Sequence, residues 1–250
     1  MNKVLIIWLW KQWEKYIHYF LKNNYTVYWV CKTVETKHKI QKKYGIQVEN
    51  DFLTFLKVQE VSIIVIALSP EIQWKIALEL AKKYPAIQII VEIPVSWDNK
   101  IIKELKKYQN CIFYLEEYFT LLAKFLRKID TLSIKKVYIK VSVSKEDYYD
   151  KNSAKVTYLH IMNNFLWTNI DRDLIQFSYY FHQREDIFYE VYFDYNDINI
   201  HYFFHQEKYL IVGKNKYSDK YNFDYVLMNI LSLDKQKINT LKEKYMECIN

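Results

Sequence analysis

Glycine is almost missing from this chain, with 2 in 250 residues. Ordinary usage of ~7% would give roughly 17. Proline is equally sparse at 3. No Pro/Gly-rich stretch, repeat or low-complexity segment separates one part of the chain from another, so its halves are expected to pack directly. The three cysteines, Cys31, Cys111 and Cys248, are odd in number and far apart. That excludes a disulfide framework and suits a reducing compartment. There is no Cys-x-x-Cys. His201 and His205 share one face of a strand-like run but stand too far apart for a metal pair, so no metal is expected. No run reaches the ~18 apolar residues of a membrane span. Val4–Trp10 is too short for a signal peptide and lacks a cleavage site. These absences point to a cytoplasmic protein with no membrane partner.

What is present is hydrophobic and aromatic. Hydrophobic residues make up 51% of the chain, enough for a sizeable core, and 24 of the residues are tyrosine. The net charge is +7. A basic excess favours anionic ligands. Here, though, the lysines are scattered over helix faces, as in Lys100-Ile101-Ile102-Lys103-Glu104-Leu105-Lys106-Lys107, so no nucleic-acid partner is expected.

The first half alternates strand and helix. Continuous apolar runs at Val4–Trp8, Tyr25–Cys31, Val61–Ala67, Ile87–Val91 and Cys111–Leu115 read as buried parallel strands. Helices are expected over Lys11–Asn23, with Ile17, Phe20 and Leu21 facing inward, and over Glu35–Tyr44, stopped by Gly45. Further helices are expected over Asp51–Lys57, from near Pro70 to Lys83, and over Asp98–Tyr108. This alternation predicts a doubly wound parallel sheet. Beyond residue 130 the pattern changes. After a linking helix at Glu117–Ile129, strands are expected at Ile134–Ser144, Lys155–Met162, Ile187–Asp194, Ile198–His205 and Lys208–Gly213. Helices are expected at Asn169–Phe181 and Phe223–Tyr245. The fold class is therefore α/β, a Rossmann-type domain over residues 1–120 followed by a smaller, mainly antiparallel α+β domain over 121–250.

The seven tryptophans fall in unusual places. Lys3-Val4-Leu5-Ile6-Ile7-Trp8-Leu9-Trp10-Lys11-Gln12-Trp13 has the rhythm of strand, tight turn and helix. With glycine at 8, 10 and 13 it becomes the G-x-G-x-x-G dinucleotide fingerprint. That fingerprint needs glycine for the turn, for close approach of the pyrophosphate and for helix packing. Trp29, Trp97 and Trp167 also stand at strand ends or turns. Two readings follow. In one, the gene uses UGA for glycine, in keeping with the Lys-, Ile-, Tyr- and Asn-rich composition of an AT-rich genome. In the other, the tryptophans are real and the nucleotide site has decayed.

With the tryptophans read as glycines, three signatures carry a family resemblance: the loop just described, Ile66-Ala67-Leu68-Ser69-Pro70-Glu71-Ile72-Gln73, and Val91-Glu92-Ile93-Pro94. In order and spacing the chain resembles the glucose–fructose oxidoreductase/inositol dehydrogenase (Gfo/Idh/MocA) family, whose corresponding segments are a Thr-Pro pair followed by His and a Glu-Lys-Pro. The resemblance implies a hydride-transferring oxidoreductase with NADP or NAD, a small-molecule substrate, and a C-terminal sheet that can serve as a homo-oligomer interface. The implied cofactor-binding residues are Trp8, Trp10, Lys11, Gln12, Trp13, Leu68, Ser69, Pro70, Gln73 and Glu92. After the second strand stand Lys32, Thr33 and Lys37, where an acidic residue would hold the ribose of NAD; basic and hydroxyl groups suit the 2′-phosphate of NADP better.

Catalysis fits the resemblance less well. The family's lysine is Ile93 here, and its histidine is Gln73. A second-domain Gly-x-His-x-x-Asp would fall near Ile170-Asp171-Arg172-Asp173-Leu174-Ile175, which has no histidine. Candidate replacements are Asp171, Arg172 and Asp173, which read equally as helix-capping residues, and Tyr118 as a phenolic proton donor. His160 reads as an ordinary strand histidine. The alternative to an enzyme is a catalytically degenerate Rossmann-type binding or scaffold protein.

Overall fold

The computed structural model describes residues 2–8, 13–31, 34–92, 95–96, 98–114, 125–126, 128–130, 133–144, 172–182, 188–204 and 208–218, with fragments between 224 and 243. The chain forms two compact units: Met1–Leu115 together with Phe223–Asn250, and Glu116–Asn222.

The first unit runs β1 (Lys3–Trp8), α1 (Trp13–Lys22), β2 (Thr26–Val30), α2 (Val34–Tyr44), β3 (Gln47–Glu49), α3 (Phe52–Val58), β4 (Ile63–Ala67), α4 (Pro70–Lys83), β5 (Gln88–Glu92), α5 (Asn99–Lys106) and β6 (Cys111–Tyr114). The strands pair in parallel in the order β3-β2-β1-β4-β5-β6. The apolar runs explain why. Val4–Ile7, all of β4 and Ile89–Val91 are buried, as central strands covered on both faces must be. Helices close over them through Tyr16, Ile17 and Phe20 of α1, Ala77, Leu80 and Ala81 of α4, and Ile102 and Leu105 of α5. Leu21, expected on the inner face of α1, is exposed; Tyr16, one turn back from Phe20, is buried instead. β3 has no signal in the sequence, because three residues carry too little pattern to read.

Local signals set the helix ends. The Asp51 carboxylate accepts from the amides of Leu53 and Thr54, both at 3.1 Å. The Asp98 carboxylate accepts from Lys100 N at 2.8 Å. Each satisfies amides that a helix start leaves open. Gly45 ends α2 with φ +65, its amide donating to Gln41 O. At the end of α1 the left-handed position is filled by Asn24 at φ +60, a residue that tolerates this region better than most.

The second unit holds β7 (Val137–Ser144), β8 (Ile175–His182), β9 (Phe188–Tyr195), β10 (Ile198–Phe204), β11 (Lys208–Val212) and β12 (Asn215–Ser218). The order is β12-β11-β10-β9-β7-β8, with only the β7–β8 pair parallel. Alternate residues Val137, Ile139, Val191, Phe193, Ile200, Tyr202 and Leu210 bury one face, packed with Leu126 and Ile134. A two-residue turn joins β9 to β10 with Asn196 and Asp197 at φ +47 and +62, as a type I′ hairpin requires.

Two expectations are corrected. The helix over Asn169–Phe181 is absent where the structure describes it: a 3-10 turn at Arg172–Leu174 leads straight into β8. The stretch Ile175-Gln176-Phe177-Ser178-Tyr179-Tyr180-Phe181 is aromatic and suits a pleated surface, and eight residues of pairing with β7 decide the matter. The division at residue 120 also places Phe223–Asn250 with the wrong partner, since that segment belongs to the first unit. Lys155–Met162, and Glu117–Ile129 apart from a few residues, lie outside the described residues.

A buried lysine ties the C-terminal segment down. Lys242 has no exposed surface, and its Nζ donates to Tyr108 O at 2.6 Å and sits 5.7 Å from the Phe113 ring centre. Burial holds its pKa below the ordinary lysine value. Between the lowered value and the unfolded value of ~10.4, the folded chain binds fewer protons than the unfolded one, so stability rises with pH there. The stability of wild type relative to Lys242→Met is therefore expected to increase as pH rises toward about 10, measured by urea denaturation at a series of pH values. A difference independent of pH would contradict this.

Trp29 gives a second test. It pairs with Ile6 and Val48 across the sheet and is 1% exposed, among the largest fully buried side chains. Trp29→Gly in the chain as written is expected to cost at least about 3 kcal/mol, from lost contacts and the void left behind. The check is the urea midpoint and slope of the variant against the parent.

Candidate functional site

The strand order reverses between β1 and β4. Parallel sheets bind ligands outside the carboxyl ends of their strands at such a switch point. The last register pair there is Trp8 with Ala67. β1 ends at Trp8 and α1 begins at Trp13, so the strand and the helix of the rhythm read from the tryptophan run are present. The loop residues Trp10, Lys11 and Gln12 lie outside the described residues, as do the side chains of Trp8 and Trp13. Lys32, Thr33, Ile93, Pro94, Trp97 and Trp167 are outside them too. Lys37 stands half-buried on the first turns of α2. Trp74 is half-buried on α4, with Lys75 Nζ 5.5 Å from its ring centre.

Around the switch point the described side chains form a brace. Ser69 precedes α4 with extended backbone, and Pro70 is the first helical residue, where a missing amide costs nothing. Gln73 follows one turn later and is 1% exposed. Its Oε1 accepts from Leu68 N at 3.4 Å, and its Nε2 donates to Glu92 O at 2.9 Å. One amide thus spans from the turn after β4 to the end of β5. The Glu92 side chain is engaged as well: the buried Tyr16 hydroxyl of α1 donates to Glu92 Oε1 at 3.4 Å. These links are not visible in the sequence, because they join positions 19 and 76 residues apart.

The start of α1 offers main-chain amides suited to an anion. Glu14 stands in that first turn and would repel one. It is paired with Lys43 of α2 at 2.8 Å, which holds its carboxyl below the usual range. Among the described residues no cluster of three or more His, Cys, Asp or Glu could hold a metal ion. Burial pushes the Cys111 thiol up to about 12, so it is no nucleophile.

In the second unit the predicted catalytic residues are not gathered by anything described. Tyr118 and Asp171 lie outside the described residues. Arg172 is placed by its backbone only, in the 3-10 turn before β8, and Asp173 is exposed. The helix start assigned to these residues does not form there, so their capping role falls with it. The sheet's other face carries a cleft of about 690 Å3, with Tyr138, Tyr192, Asp194 and His201 in its lining. Tyr192 and His201 stack with ring centres 4.1 Å apart, and burial lowers the His201 pKa. Among the described residues, none singled out in the sequence as catalytic or cofactor-binding is in the lining of this cleft.

No protein-family model matches the chain, and a search of curated proteins finds no sequence match. Solved structures do match in shape. A 3-ketoreductase from Actinomadura kijaniata, with NADP and TDP-benzene bound, superposes at TM-score 0.73 and 8% identity, over 100% of this chain and 95% of that one. A dehydrogenase from Chromobacterium violaceum gives TM-score 0.72 at 9% identity, over 99% and 93%. A Gfo/Idh/MocA family oxidoreductase from Vibrio cholerae gives 0.70 at 10%, over 100% and 95%. The Tyr16–Glu92 contact beside the switch point is testable by itself. Tyr16→Phe keeps the ring and leaves a carboxylate oxygen short of one donor. Destabilisation of about 1 kcal/mol is expected, read from the urea midpoint. Unchanged stability would mean the 3.4 Å contact contributes nothing.

Matched over nearly its whole length and nearly that of each neighbour, the chain has the fold of these oxidoreductases: a Rossmann-type parallel sheet followed by a mainly antiparallel sheet.

Proposed function

We propose that this chain is an NAD(P)-dependent oxidoreductase of the Gfo/Idh/MocA type, acting on a small carbonyl, imine or hydroxyl substrate. The observation that carries the reading is the strand order β3-β2-β1-β4-β5-β6, with β1 ending and α1 beginning at its switch point. The bound cofactor would supply or accept the hydride. The chain's own residues would bind and orient it. The start of α1 and the 8–13 loop, with Lys11 and Gln12, would hold the pyrophosphate, with the Glu14 charge already met by Lys43. Leu68, Ser69 and Pro70 would flank it at the end of β4. Lys32, Thr33 and Lys37 would face the ribose and favour the 2′-phosphate of NADP. Tyr118, Asp171, Arg172 and Asp173 remain the candidates to hold or move the substrate proton. The open face of the second sheet, with Tyr138 and Tyr192 exposed, suits pairing with a second copy.

The strand order and the start of α1 support a dinucleotide site; the tryptophans bear on the rest. In the dinucleotide fingerprint an indole at position 10 would fill the space that the pyrophosphate needs, and glycine would leave it open. The second reading, a degenerate binding or scaffold protein, is favoured by two observations. Ile93 cannot move a proton, and Gln73, which stands where the family has histidine, has both ends of its amide engaged by main chain.

Two measurements separate these readings. The intact mass of protein from the native host distinguishes seven tryptophans from seven glycines. The form with glycine at 8, 10 and 13 is expected to bind NADPH, and Lys32→Ala is expected to weaken NADPH more than NADH. No binding at millimolar cofactor by calorimetry removes the dinucleotide reading. Binding without turnover of aldehydes, ketones or imines selects the scaffold.

A further inference from the structure

Gln73 is the one described polar residue of α4 that is fully enclosed. A buried amide is retained only where its hydrogen bonds are met, and here both ends are met by main chain from different strand ends. Leu68 N belongs to the turn leaving β4. Glu92 O belongs to the last residue of β5, whose side chain is in turn reached by Tyr16 of α1. α1 and the β4–α4 turn border the switch point, and the end of β5 stands beside β4, one strand further along the sheet. A side chain joining two of them, and linked through Glu92 to the third, sets their spacing. An amide is also neutral at every working pH, so its two bonds do not come and go with protonation.

We propose that Gln73 is a positioning residue: it fixes the β4–α4 turn to the end of β5, so that the walls of the cofactor cleft are held at one separation. It touches the cofactor only through those walls. The proposal rests on the dinucleotide reading for what the cleft binds, but the brace itself does not.

The test uses full-length protein with the residues its host inserts at positions 8, 10 and 13. Gln73→Met keeps the volume and removes both bonds. Gln73→Glu keeps the acceptor for Leu68 N and can donate to Glu92 O only when protonated. Affinity for NADP+ is measured by calorimetry at pH 5 and pH 8, each variant against wild type at the same pH. Gln73→Met is expected to bind about tenfold more weakly at both pH values, the loss of roughly one buried hydrogen bond or more. Gln73→Glu is expected to be as weak at pH 8 and to recover toward wild type at pH 5, a pH dependence that a mere packing role would not create. In the ligand-free protein, the Leu68 amide is expected to exchange its hydrogen at least about tenfold faster in Gln73→Met, while amides of β1 keep their protection. Equal affinities across the three proteins at both pH values would overturn the proposal. So would unchanged exchange at Leu68, which decides the brace even if a variant binds poorly for another reason. Failure of wild type to bind NADP+ at all would overturn the dinucleotide reading, and the exchange rate at Leu68 would then decide the brace by itself.

Discussion

Everything in the first unit hangs on the parallel pairing of β1 with β4. These two strands are neighbours in space and 55 residues or more apart in sequence, with Val4–Ile7 set against Ile63–Ile66 and no exposed side chain among them. Closing a loop that long is entropically unfavourable, and only the apolar surface removed from water offsets it. Once the pair forms, β2 and β3 can add on one side and β5 and β6 on the other. The sheet's direction of growth reverses at that seam. Beyond Trp8 and Ala67, at the carboxyl end of this pair, the sheet order reverses, the place where parallel sheets bind ligands. The core contact that stabilises the fold and the proposed cofactor site belong to one strand pair.

The parallel strands were legible because burial on both faces leaves little besides Val, Ile and Leu. Ile63-Ile64-Val65-Ile66-Ala67 is short and rich in β-branched residues, which favours a strand over a buried helix. Helix starts were legible at Asp51 and Asp98, and a helix stop at Gly45, because each is a local event. What could not be read depended on partners distant in sequence. β8 carries residues that both periods tolerate, and only its pairing with β7 settles it. The C-terminal segment is drawn to the first unit by contacts such as Lys242 with Tyr108, which no composition shift announces.

The candidate site divides in the same way. The end of β1 at Trp8, the start of α1 at Trp13, and proline at the first turn of α4 follow from short-range pattern. Gln73 stands out in the sequence for its place in a motif, and the structure adds a different role: its amide faces Leu68 and Glu92 main chain. Side-chain direction at a buried helix position depends on what the neighbouring strand ends leave unsatisfied, which sequence spacing does not encode. Glycine scarcity bears on the turns as well. With only Gly45 and Gly213 available, the left-handed positions at 24, 196 and 197 fall to Asn and Asp, whose short polar side chains lower the strain.

The sheet borders carry a last consequence. β3 is three residues long and β12 four, and every residue of β12 is exposed, Lys216 among them. An incoming strand meets few free backbone groups on such a margin, and a lysine ammonium interrupts them. The broad faces are different, with tyrosine rings standing clear of the second sheet. The border of the second sheet opposite β12 is β8, eight residues long, so among the described strands the margins that discourage edge-to-edge strand addition are those of β3 and β12, not that of β8.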